Sequence, residues 1–142
     1  MSNFDYVIVG AGMAGAAAVE GIRQEDPTGT IALVGAEIDP PYNRTTLSKA
    51  LWREPETTTT TSILLPAASA PGVTPILGTR VVAVDVDAHT VSTDDGRIIG
   101  YRRLVLTTGG HARTGGFAPS DRVIHFHDLS DYRALKALAD FF

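Results

Sequence analysis

Three groups of residues have types and spacings that can do chemistry. Gly10-Ala11-Gly12-Met13-Ala14-Gly15 is a GxGxxG that follows an apolar run and opens a small-residue stretch of helical character. Gly10 permits a tight turn, Gly12 lets backbone approach a pyrophosphate, and Gly15 lets a helix pack closely on a strand. Amides of the first helical turn, Met13 and Ala14 among them, then face the phosphates at the positive end of the helix dipole. Glu37 stands 22 residues beyond Gly15, just after a second apolar run. An acid there accepts hydrogen bonds from ribose hydroxyls and disfavours a 2′-phosphate. The pattern points to a bound dinucleotide; the alternative is a set of glycines serving helix–strand packing alone.

The second group is Pro41-Tyr42-Asn43-Arg44-Thr45-Thr46-Leu47-Ser48-Lys49. By spacing alone, Arg44 and Lys49 are solvated loop cations. The third is His125 with His127, which would share one face of a strand at the spacing of a metal pair. No third ligand accompanies them, so the expectation is an ordinary pair of histidines and no metal site.

These residues need elements to position them. FDYVIV (4–9) reads as a buried strand, the stretch after it as a helix closing at Asp26-Pro27, and TIALV (30–34) as a second buried strand. Together they make a βαβ unit over 4–37. An irregular loop, 38–75, holds the Arg44–Lys49 string and a solvated threonine run at 57–61. A three-stranded meander, 76–100, follows: VVAVDVD alternates, HTVST returns, and Asp94-Asp95-Gly96 is a hairpin signal. RLVL (103–106) reads as a further buried strand running into a TTGG turn, within 101–113. The tail, 121–140, offers a short strand VIHF and a helix capped by Ser130 or Asp131.

Composition narrows the classes. The 142 residues fit one domain, with 44% hydrophobic and 20% charged residues. The absence of cysteine excludes disulfides, iron–sulfur ligation and thiol redox chemistry within these residues. A formal charge of −4 argues against nucleic-acid partners. No apolar run reaches membrane-spanning length, and the N-terminus lacks the marks of a secretory signal, so the expected location is cytoplasmic.

The Pro41–Lys49 string resembles the PYxRPxLSK segment of FAD-dependent ferredoxin and rubredoxin reductases, in the pyridine nucleotide-disulfide oxidoreductase superfamily. The resemblance implies that Arg44 and Lys49 face FAD, with Lys49 near the redox-active end of the flavin. Its charge there would stabilise a reduced flavin electrostatically. Leu77–Arg113 is similar to the family's meander and ATGAxPR turn. That implies a Val81 backbone contact to adenine and close backbone passage of Thr108 and Gly109 along the cofactor. Thr107 stands where the family favours alanine, and is the substitution expected to matter at that close contact. HFHDLSD aligns with the family's LRTxxD, which puts His127 in place of a cofactor-holding arginine.

The implied fold is a Rossmann-like α/β FAD-binding domain: a parallel sheet with an antiparallel meander crossing one face, incomplete relative to the family. The implied function is the FAD-binding portion of an NAD(P)H-dependent flavoprotein reductase passing electrons to a small iron–sulfur protein such as a ferredoxin. The absence of a CxxxxC favours that branch over disulfide reductases. Family members continue into a second GxGxxG module for NAD(P)H, so these residues are expected to be inactive alone. The alternative is a nucleotide-binding module or a subunit of a split enzyme without independent catalysis. Self-association is expected through an open sheet edge and apolar surface at Leu47, Leu51, Trp52, Phe141 and Phe142.

Overall fold

The computed structural model describes residues 2–56, 58–117, 120 and 123–140. They form two compact units: Met1–Asn43 with Ile63–Gly109, and Arg44–Ser62 with Gly110–Phe142.

The first unit is built on a six-stranded sheet in the order β3-β2-β1-β6-β5-β4. Its strands are β1 (Ser2–Val9), β2 (Ile31–Val34), β3 (Val73–Ile76), β4 (Val81–Asp85), β5 (Thr90–Thr93) and β6 (Ile98–Leu106). β3, β2, β1 and β6 run parallel, whereas β5 is antiparallel to both β4 and β6. Helix α1 (Met13–Glu25) crosses from β1 to β2 and closes at Asp26.

Alternation along the strands sorts the core into two faces. Ile8, Ile31 and Leu33 pack with Ala16 and Val19 of α1 and with Ala67 of a 3-10 turn at Pro66–Ser69. Val7, Val9, Ala32 and Val34 face the other way, against Val91 and Ile99 of the meander. The meander therefore takes the place of a helix layer on that face, as the sequence implied. Each valine, leucine or isoleucine so buried contributes about 1.5–3 kcal/mol.

Three expectations need correction. β3 was hidden inside the loop: Val73–Ile76 is a parallel edge strand on β2, with Pro75 opposite Leu33. Proline is tolerated there because an edge strand leaves one row of backbone groups unpaired. RLVL is not a separate buried strand. Gly100 pairs with Asn3 on one side and Thr90 on the other, so β6 runs unbroken from the meander into the parallel sheet. Its end is open to solvent, with Leu106 60% exposed. VIHF forms no strand; only a Ser120–Val123 bridge joins the described residues there.

The second unit contains a 3-10 turn (Arg44–Thr46), the short helix α2 (Ala50–Arg53) and α3 (Leu129–Ala139). Leu47, Leu51, Leu129 and Tyr132 are buried, and the Trp52 and Tyr132 rings meet edge to face at 5.2 Å. The patch expected to drive self-association is thus closed at Leu47 and Leu51, and Trp52 is half-buried. Phe141 and Phe142 lie outside the described residues. Among the described residues no helix is long and apolar enough to cross a membrane.

The cap of α3 is Asp128, not Ser130 or Asp131. Its carboxylate accepts from the Ser130 and Asp131 amides at 2.9 and 3.0 Å. Asp131 completes a capping box by accepting from the Asp128 amide at 3.0 Å. Burial pushes the Asp128 carboxyl up, but the amides of Asp131 and Ser130 and the charge of Arg44 outweigh it, so the group sits below its ordinary 3.8. A carboxyl depressed in the folded state adds stability that is present above the unfolded value and lost as pH falls through the folded one. Asp128→Ala is expected to cost α3 about 0.5–2 kcal/mol at neutral pH. Asp128→Asn should keep the cap and flatten the acid dependence below the ordinary carboxylate value. Urea unfolding followed by the fluorescence of Trp52, the single tryptophan, reads both effects.

Candidate functional site

The C-terminal edge of the parallel strands is where open α/β sheets bind ligands. In the first unit, three loops gather at that edge. β1 leads into the glycine turn, β2 into Gly35-Ala36-Glu37, and β6 into Thr107-Thr108-Gly109. The Gly10 amide donates to Val34 O at 2.8 Å, and the Thr107 amide to Val9 O at 2.8 Å, so the loop starts are tied together.

Each glycine of the motif has a separate steric reason. Gly10 has φ +115°, and a Cβ there would overlap the Thr107 carbonyl. A Cβ on Gly15 would overlap the Gly10 carbonyl, so its absence seats α1 on the turn. At Gly12 a Cβ would meet nothing within 4 Å. Gly12 caps α1 by backbone alone: it has no side chain to bond the first-turn amides, and no acid lies in that turn. Helix-start amides without a side-chain cap beside open space make a cradle for an anion. Met13 and Ala14, next along the turn, are exposed.

Glu37 is half-buried just past β2, and its carboxylate accepts from the Tyr42 hydroxyl at 2.6 Å. Tyr42 itself is only 4% exposed, which makes it a rigid support. The Glu37 carbonyl accepts from the Gly78 amide at 2.9 Å, and Gly35 O accepts from Thr79 at 2.8 Å. Those bonds bring the start of the meander against the Glu37 loop. Val81, three residues on from Gly78, opens β4 opposite Thr93, just before a bulge, with its side chain packed on the core. Thr108 and Gly109 are exposed, and Gly109 has φ +65°.

Sequence reasoning gave Gly35 no role, and it placed Tyr42 in the Pro41–Lys49 string without its bond to Glu37. A Cβ on Gly35 would collide with that of Ala11, so this glycine lets the β2 exit approach the glycine turn. The signal was present, since a glycine closing a strand marks close backbone approach. Tyr42 had no such signal, because its partner is reached only through the folded loop. The Thr107 hydroxyl turns inward, 2.8 Å from Gly10 O and 3.2 Å from Val9 O.

In the second unit, the Arg44 guanidinium donates to the backbone carbonyl of His127 at 2.8 Å. His127 therefore holds Arg44 through its main chain. The Asp128 amide, in the same peptide plane as that carbonyl, donates to Asp131 at 3.0 Å and so fixes it from the other side. Lys49 is exposed at the start of α2. His125 and His127 do not lie on a strand; a ring nitrogen of His125 is 3.0 Å from Phe117 O.

The dinucleotide cradle fits FAD on these grounds. The space at Gly12, the uncapped amides of α1 and an acid beyond β2 are what its ADP half requires.

The chain matches the family described as pyridine nucleotide-disulphide oxidoreductase over residues 4–139. It is 39% identical over 134 residues to the ferredoxin–NAD(+) reductase component of the p-cumate 2,3-dioxygenase system of Pseudomonas putida, covering 92% of this chain and 33% of that protein. It is 37% identical over 141 residues to putidaredoxin reductase of Pseudomonas putida, covering 95% and 33% of the two chains. Among solved structures, a covalent putidaredoxin reductase–putidaredoxin complex superposes with a TM-score of 0.78 at 31% identity, over 97% of this chain and 34% of the other. The chain thus spans about one third of the length of these relatives. The glycine turn with its acid, the meander layer and this match over nearly all of its length make the chain a member of the pyridine nucleotide-disulphide oxidoreductase family.

Proposed function

We propose that these residues are the FAD-holding portion of an NAD(P)H-dependent flavoprotein reductase that hands electrons to a small iron–sulfur protein such as a ferredoxin. The observation that carries the reading is the cradle itself: open space at Gly12 and α1 amides with no side-chain cap, on the sheet edge that also carries Glu37. The names of the relatives, ferredoxin–NAD(+) reductase and putidaredoxin reductase, support the acceptor class.

Gly12, Met13, Ala14 and Gly15 hold the pyrophosphate by backbone amides, with Gly10 setting the turn. Glu37 accepts the ribose hydroxyls, oriented by Tyr42. Val81 offers backbone to adenine, and Thr108 and Gly109 offer backbone along the cofactor. Arg44 and Lys49 supply positive charge on the flavin side, an electrostatic role rather than proton transfer. His127 acts through its carbonyl, which aims Arg44. FAD, when bound, takes up a hydride and releases electrons singly.

The same cradle would equally serve a second reading, a nucleotide-binding module or a split-enzyme subunit without independent catalysis. Purification with added FAD followed by desalting separates the two. The first reading expects visible flavin absorbance and no steady NADH oxidation by these residues alone. A colourless protein that binds ADP in calorimetry selects the second. Binding of neither probe overturns both.

A further inference from the structure

Thr107 carries a side chain that neither the glycine fingerprint nor the proposed roles account for. Its backbone already satisfies the sheet, because its amide donates to Val9 O at 2.8 Å. The hydroxyl is additional. It lies 2.8 Å from Gly10 O and 3.2 Å from Val9 O, and has one proton to donate between them. It also sits under the second structural glycine: a Cβ on Gly15 would lie 3.3 Å from Oγ1. One hydroxyl therefore touches the turn at its beginning and at the point where α1 packs on it.

We propose that the Thr107 hydroxyl is a positioning group for the dinucleotide turn, holding the plane of the Gly10–Ala11 peptide and so the direction of the amides that follow. This rests on the dinucleotide reading above. Gly10, at φ +115°, has no Cβ to restrict its backbone, so its peptide plane is free to rotate unless something holds it. The peptide is planar and trans, so the carbonyl and the next N–H point in opposite directions. Fixing Gly10 O against Thr107 fixes the Ala11 N–H on the other side. Rotating the plane would strip the hydroxyl of its nearer acceptor and press the carbonyl on a new neighbour. The amide array at the start of α1 is thereby held in place before a ligand arrives, which lowers the ordering cost of binding.

The test compares Thr107→Ser, which keeps the hydroxyl, with Thr107→Val, which keeps the branched shape and removes it. ADP affinity is measured by calorimetry and FAD affinity by flavin fluorescence, on the 142-residue chain. Hydrogen exchange is followed in the unliganded protein at the Gly10 amide, bonded to Val34 O at 2.8 Å, and the Ala16 amide, bonded to Gly12 O at 2.9 Å. Thr107→Val is expected to bind both ligands roughly three- to tenfold more weakly, the worth of one ordinary hydrogen bond. Exchange at Gly10 and Ala16 should quicken in parallel, and Thr107→Ser should restore wild-type values. A valine variant that melts lower yet keeps wild-type affinity and exchange makes the hydroxyl a packing feature only, and overturns the proposal. A wild-type chain that binds neither ADP nor FAD removes the dinucleotide reading itself, an outcome distinct from loss of the Thr107 role alone.

Discussion

Gly10→Ala is expected to destabilise the fold severely, while Gly12→Ala, two residues away, folds normally and fails to bind. At Gly10 the added methyl meets two penalties at once. The residue sits at φ +115°, where an L side chain is strained, and the Cβ would overlap the Thr107 carbonyl, which is fixed in the sheet by the neighbouring amide bond to Val9. Backbone strain of this kind costs about 1–3 kcal/mol. Overpacking against an atom that cannot retreat costs another 1–3 kcal/mol or so. Their sum, about 2–6 kcal/mol, is a large part of the roughly 5–15 kcal/mol that holds a domain together. At Gly12 the backbone has φ −91° and the methyl projects into open space, so stability should change by about 0.5 kcal/mol or less. That space is the cradle, and filling it should abolish measurable ADP binding. Urea unfolding by circular dichroism and ADP calorimetry, run on both variants, give the answer. A Gly12→Ala chain that binds ADP like the wild type would remove the pyrophosphate from this turn.

Glu37→Ala should lower affinity for ADP or FAD by roughly tenfold to a few hundredfold. A carboxylate accepting ribose hydroxyls makes charge-assisted hydrogen bonds worth about 1.5–3 kcal/mol each, and 1.4 kcal/mol is a factor of ten. Folding should survive, because Glu37 is half-buried beyond the end of β2 and fills no core volume. Tyr42→Phe should produce a smaller loss in the same direction. Its hydroxyl, 2.6 Å from the carboxylate, sets where the acid points. The order wild type, Tyr42→Phe, Glu37→Ala in calorimetric affinity is therefore expected. Equal affinity in wild type and Glu37→Ala would dismiss the ribose role, and Tyr42 would then be a core tyrosine with a satisfied hydroxyl.

The elements that local sequence specifies are those that appeared where expected. β1, α1 and β2 announce themselves by a β-branched run, a glycine turn, a helix stopped before Pro27 and a second apolar run. The second meander turn is likewise local: Gly96 takes φ +84°, which the Asp-Asp-Gly string supplies. The cap of α3 was legible in kind but misplaced by two or three residues, because Asp128, Ser130 and Asp131 are all good capping types. Only the backbone geometry separates the cap from its partner in the box.

Sequence by itself determined the βαβ unit, the glycine turn that opens α1 and the hairpin turn at Gly96. Each rests on contacts or conformations within a few residues, where composition and spacing carry the physics. Tertiary structure alone decided the rest. β3 exists because β2, some forty residues earlier, offers it backbone partners, and a four-residue run containing proline does not declare itself. Leu47 and Leu51, open to solvent on the sequence reading, are buried within their own unit. The carbonyl that aims Arg44 belongs to His127, 83 residues away, and any residue type could have supplied it. Thr107, 97 residues from Gly10, could have turned its hydroxyl to a ligand or to the protein. Such pairings leave no periodicity in the chain, because a hydrogen bond between distant residues depends on where the fold delivers them and not on what stands beside them.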